Sequence, residues 1–115
     1  MKKIEPFEID EAIGNEEIVC LYLYTPMCGT CQLAKRMLEV VEELFPFLPF
    51  YQTDINYMPE RAVAWKIESV PCLLLFQGGN IVKKWYAFHS VPYLYETIKE
   101  MLPNDNRFCT NRKTD

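Results

Sequence analysis

The chain of 115 residues has no apolar run near the roughly 20 residues that a membrane-spanning helix needs. It shows no secretory leader. Met1–Lys2–Lys3 is basic, but Glu5, Pro6, Glu8, Asp10 and Glu11 stand where an apolar stretch should begin. The expected location is therefore the cytoplasm, with no membrane partner. Basic charge is not in excess: 12 Lys and Arg face 16 Asp and Glu, a formal net charge of −4. That excludes bulk attraction to nucleic acid or to an anionic membrane. An acidic surface keeps a small protein soluble, and a monomer is expected. No internal repeat, low-complexity tract or linker interrupts the sequence. One domain is expected over residues 1–103, with a polar tail over 104–115.

Metal-binding material is scarce as well. His89 is the only histidine, and the five cysteines are Cys20, Cys28, Cys31, Cys72 and Cys109. An odd set without a leader is not the disulfide framework of a secreted scaffold. One Cys-x-x-Cys pair is present and no second, whereas structural zinc wants four ligands. No bound cofactor is implied.

What the sequence does hold is material for one core, since half of its residues are hydrophobic and 14% are aromatic. A short helix is expected over Phe7 to Ile13. Ile18 to Tyr24 is a continuous β-branched and aromatic run, which reads as a strand buried on both faces. After Pro26 the period changes. Leu33, Met37, Val40, Val41 and Leu44 form the apolar stripe of a helix that ends before Pro46. Phe50 to Ile55 is a second strand, and Pro59 to Trp65 a short helix opening at proline. Cys72 to Phe76 is a third strand, Gln77–Gly78–Gly79–Asn80 a turn, and Ile81 to Tyr86 the partner of a hairpin. Ser90 caps a last helix with a stripe of Leu94, Ile98, Met101 and Leu102. Alternating strands and helices followed by a hairpin give an α/β fold, a mixed sheet between helices.

Cys28–Gly29–Thr30–Cys31 stands between a buried strand and the long helix. Three residues of separation are close to one helical turn, so both sulfurs project from the same end at a disulfide-compatible distance. Cys28 there faces unpaired backbone N–H groups and the positive end of the helix dipole. Both favour its thiolate, the form that attacks disulfides. Gly29 lets a partner's backbone approach closely. Cys31 then resolves the mixed disulfide.

With these residues in view, the sequence resembles thioredoxin over about residues 7 to 102. The motif aligns on the family's Cys-Gly-Pro-Cys. Asp54–Ile55–Asn56 looks like the strand end before the family's third helix. Ser69–Val70–Pro71 falls at the family's cis-proline, and Leu73–Leu74–Leu75–Phe76 with Gly78–Gly79 resembles the next strand and turn. The resemblance implies a thioredoxin fold with a central mixed sheet of four to five strands flanked by helices. It implies thiol–disulfide exchange on disulfide-containing proteins, with electrons from a thioredoxin-reductase-type donor. It implies that Val70, before a cis Pro71, pairs through its backbone with a substrate strand. Met27, Gly29 and Thr30 would border that strand.

The sequence departs from the family in five places. Tyr22 stands six residues before Cys28, where thioredoxins usually bury an aspartate, and Gln52 where a lysine often accompanies it. Tyrosine is a poor base at neutral pH. Met27 replaces a tryptophan and leaves a softer rim. Thr30 replaces proline and adds an N–H and a hydroxyl near the sulfurs. A better-stabilised thiolate implies a potential less reducing than the roughly −270 mV of thioredoxin. Ala87 replaces a glycine on the substrate-facing surface. Cys20 and Cys72 read as buried strand residues, Cys109 as a tail thiol, and His89 as a solvated loop residue. Trp65 and Trp85 read as packing residues. Two alternatives stand beside the leading reading: a binding module without redox activity, and a glutaredoxin-like reductase driven by a small thiol.

Overall fold

The central strands send successive side chains into two separate cores. In β2 (Ile18–Tyr24), Ile18, Cys20 and Tyr22 enter one core, while Val19, Leu21 and Leu23 enter the other. β4 (Cys72–Gln77) repeats the pattern, with Leu73 and Leu75 on the first side and Cys72, Leu74 and Phe76 on the second. A strand has a side-chain period of two, so one that is apolar throughout needs cover on both faces. The computed structural model on which this description rests describes residues 1–103. The polar tail expected over 104–115, with Cys109, lies outside the described residues.

Five strands form one sheet in the order β1 (Lys2–Lys3), β3 (Phe50–Asp54), β2, β4, β5 (Asn80–Trp85). β1, β3 and β2 run parallel, and β4 and β5 are antiparallel to their neighbours. The first core is closed by α2 (Gly29–Leu44) and α4 (Val91–Met101). The second is closed by α1 (Ile9–Gly14) and by Met58, Trp65 and Ile67, which flank α3 (Pro59–Ala64). This is the thioredoxin fold that the motifs implied. Gly78 and Gly79 both have positive φ, 60° and 83°, as the two-residue turn between β4 and β5 requires. Ser90 caps α4, its hydroxyl accepting the Tyr93 N–H at 3.1 Å. No helix among the described residues is long and apolar enough to cross a membrane.

One expectation needs correction. The buried seam of α2 is Cys31, Ala34, Leu38 and Val41, continued by Phe45. Leu33 is 60% exposed and Val40 48% exposed. Apolar residues come in adjacent pairs along this helix, at 33/34, 37/38, 40/41 and 44/45. Both members of each pair fit the helical period, so periodicity leaves the phase open by about 100°. Cys31, turned inward at the first turn, selects the second member. β1 is an addition to the expected elements, for no pattern announced it. Two lysines show no alternation, and the strand exists through its pairing of Lys2 with Tyr51 and Lys3 with Gln52.

Candidate active site

The N-terminus of α2 is built on the first cysteine. Cys28 keeps an extended backbone (φ −89°, ψ 108°), and its sulfur accepts the Cys31 N–H at 3.2 Å. A sulfur thus takes the place of the usual capping oxygen. The second sulfur lies one turn on, and the two form a disulfide with Cα atoms 5.3 Å apart. Exposure separates them: Cys28 is half-buried and Cys31 only 4% exposed. A partner can reach the first sulfur and not the second.

Other residues singled out from the sequence gather on Cys28. The Thr30 hydroxyl stands 3.4 Å from its sulfur, and the Val70 carbonyl oxygen 4.0 Å from it. The Val70–Pro71 bond is cis. Met27 is 94% exposed beside the pair. Gly29 is exposed, and a Cβ added there would meet nothing within 4 Å. The fold itself has no need of glycine at that position.

Behind the pair lies a cleft of about 360 Å³, lined by Tyr22, Tyr24, Cys31, Lys35, Glu39 and Gln52 among others. Tyr22 is buried, and its hydroxyl donates to the Cys31 carbonyl at 2.6 Å. Burial, reinforced by neighbouring Tyr24, pushes its pKa well above the ordinary tyrosine value. The phenol stays protonated and serves as a donor to backbone, not as a base. Gln52, in the same cleft lining, donates to the Met1 carbonyl at 2.8 Å. The residue pair that replaces aspartate and lysine is therefore a neutral brace.

The remaining cysteines stand apart. Cys20 is buried in the first core, and burial pushes its pKa up. Cys72 belongs to the second core, across the sheet from Cys31. Burial pushes its pKa up to about 12, against the opposing pull of the Lys84 charge and of a hydrogen bond with Tyr86. His89 is exposed and meets the Tyr93 ring edge-on at 4.6 Å. Trp85 is buried, its indole N–H donating to the Thr97 hydroxyl at 3.0 Å, while Trp65 packs edge-on against Phe76. Both tryptophans serve packing. Lys84 and Tyr86, on the β5 side, carried no motif in the sequence, although they contact the segment that precedes Val70.

Comparison with known proteins agrees with this geometry. Residues 1–100 match the family described as Thioredoxin. The chain is 55% identical over 100 residues to thioredoxin-like protein YusE of Bacillus subtilis, covering 87% of this chain and 92% of that protein. It is 32% identical over 77 residues to thioredoxin-1 of Saccharomyces cerevisiae, covering 67% and 75% of the two. The oxidised thioredoxin of Plasmodium falciparum superposes with a TM-score of 0.77 over 90% of this chain and 99% of that one. At 19% identity this last likeness is one of fold.

Proposed function

This chain belongs to the thioredoxin family and is a thiol–disulfide oxidoreductase, and we propose that it acts on protein disulfides with Cys28 as nucleophile and Cys31 as resolving thiol. One observation carries the assignment of roles. Cys28 is the accessible sulfur, held by the Cys31 N–H at the positive end of α2, while Cys31 is buried.

The cycle starts from the dithiol. The Cys28 thiolate attacks one sulfur of a substrate disulfide; a bond to Cys28 forms and the other substrate sulfur leaves as a thiolate. Cys31, deprotonated, then attacks the Cys28 sulfur. The Cys28–Cys31 bond forms, the mixed disulfide breaks, and the second substrate thiolate leaves. The substrate gains two electrons and takes up two protons, which the dithiol gives up. A thioredoxin-reductase-type donor returns the electrons. The Cys31 proton leaves through the cleft, and neither Tyr22, occupied as a donor, nor Gln52, which is neutral, is its acceptor.

Val70 supplies the substrate ledge, its backbone pairing with an extended strand on either side of the scissile disulfide. The 4.0 Å between the Val70 oxygen and the Cys28 sulfur supports this role. Pro71 fixes the ledge, and Met27, Gly29 and Thr30 form its rim. The Thr30 hydroxyl favours the thiolate and so makes the couple less reducing than the roughly −270 mV of thioredoxin. The protein works as a monomer in the cytoplasm, and residues 1–103 form its one domain.

The test is reduction of insulin disulfides with dithiothreitol as reductant, for wild type and Cys28→Ser. Wild type accelerates the reaction and the variant does not. No acceleration by a folded protein with both thiols titratable would overturn the assignment, and would favour a client-binding role for the same surface.

A further inference from the structure

The backbone that carries Val70 has no regular structure of its own. α3 ends at Ala64 and β4 begins at Cys72. Between them the chain turns out of the helix at Lys66, which adopts φ +56°. The Lys66 N–H reaches the Val63 carbonyl at 3.0 Å and the Ile67 N–H reaches Ala62 at 2.9 Å. This paired closure is a Schellman turn, with lysine where glycine is usual. It satisfies carbonyls inside the helix and leaves those of Trp65 and Lys66 pointing outward.

Two side chains from the β5 side take up these groups. The Lys84 ammonium donates to the Trp65 carbonyl at 2.5 Å and to the Lys66 carbonyl at 3.3 Å. A cation at the negative end of α3 is also favoured by the helix dipole. The Tyr86 hydroxyl accepts the Glu68 N–H at 3.2 Å and lies 3.5 Å from the Lys66 carbonyl. Being two residues apart, Lys84 and Tyr86 share one face of the sheet. Together they hold Trp65, Lys66 and Glu68, and Glu68 is two residues from Val70. At the other end, β4 pairs with β2 from Cys72 onward. The ledge is thus suspended between a side-chain clamp and the sheet.

Resting on the reading of Val70 as the ledge, we propose that Lys84 and Tyr86 are positioning residues that hold the Trp65–Glu68 segment, and so favour disulfides borne on an extended peptide over small disulfides. A peptide substrate pairs with the Val70 backbone and needs that backbone in place. A small disulfide needs only the Cys28 thiolate. Loosening the clamp acts on the first kind of substrate, through KM.

The experiment compares kcat and KM for two disulfides, insulin and bis(2-hydroxyethyl) disulfide. The enzymes are wild type, Lys84→Met, Tyr86→Phe and Lys84→Arg. In wild type, kcat/KM favours insulin. Lys84→Met and Tyr86→Phe each lower that preference about two- to tenfold, the range set by one hydrogen bond, and do so through KM for insulin. Lys84→Arg, which keeps a cationic donor, restores most of it. An unchanged preference in both variants overturns the clamp. An equal loss on the two substrates overturns it as well, because the effect would then be general damage to the fold. A wild type with no preference for insulin sinks the ledge reading itself, whatever the variants do.

Discussion

A buried phenol bonded to a backbone carbonyl makes a sharp demand on its site. Tyr22→Phe keeps the ring and removes the donor, leaving the Cys31 carbonyl without its 2.6 Å partner. We expect about 1–3 kcal/mol of lost stability in the oxidised protein, measured by urea denaturation. Thr30 makes a demand of a different kind. Thr30→Val keeps the shape and removes the hydroxyl beside Cys28. The reduced variant should react with iodoacetamide at pH 7 about two- to tenfold more slowly, because the thiolate loses a hydrogen bond. At this scale the sequence was legible wherever a motif spoke for a residue. Cys28, Cys31, Val70 and Pro71 form a constellation whose spacing carries the resemblance to thioredoxin. The change to Tyr22 was visible in the same way. The destination of its hydroxyl was not, because a backbone carbonyl has no letter in the sequence. Lys84 and Tyr86 were missed for the same reason: their partners are main-chain atoms of Trp65, Lys66 and Glu68.

For a helix, the legible quantity is its period, and the hidden one is its phase. The long helix after the cysteines was evident, yet its stripe was placed on Leu33, Met37, Val40, Val41 and Leu44. The structure keeps Val41 buried and packs Met37 and Leu44 partly against the core, but centres the seam on Cys31, Ala34, Leu38 and Val41 and leaves Leu33 and Val40 exposed. Leu38→Ala should therefore cost about 2–5 kcal/mol by denaturant titration, as a fully buried leucine does. Leu33→Ala, at a position 60% exposed, should stay within about 0.5 kcal/mol. Comparable losses in the two would reverse the seam. The end of α3 offers a gain. Lys66 sits at φ +56°, which costs a non-glycine residue about 1–2 kcal/mol. Glycine removes that cost but enlarges the freedom of the unfolded chain by about 0.4–1 kcal/mol. Lys66→Gly should stabilise the protein by up to about 1.6 kcal/mol net, read as a rise in Tm.

Over the whole molecule, the mixed sheet between helices followed from the alternation of elements, and the edge strand did not. The continuous apolar runs of β2 and β4 required two covered faces, which the helices supply. Lys2–Lys3 joins the sheet only because Tyr51 and Gln52 present a free edge. Two cores also mean two buried thiols, and these tie global stability to pH. Burial raises the Cys72 pKa from an ordinary 9.0 to about 12, and raises that of Cys20 in the same direction. The folded state thus favours the neutral thiol. That stabilisation is complete below about pH 9 and is lost as pH climbs toward 12. Cys72→Ala should lose less Tm than wild type between pH 9 and pH 11; an identical alkaline slope would refute the linkage. The short lysine strand has a consequence of its own. A sheet of leucine and valine with open borders is a template on which further chains can stack into fibrils. Here one border is only two residues long and carries Lys2 and Lys3, and the other bears exposed Lys83. Copies meeting border to border bring ammonium against ammonium, so the same lysines that end the sheet also keep it from propagating.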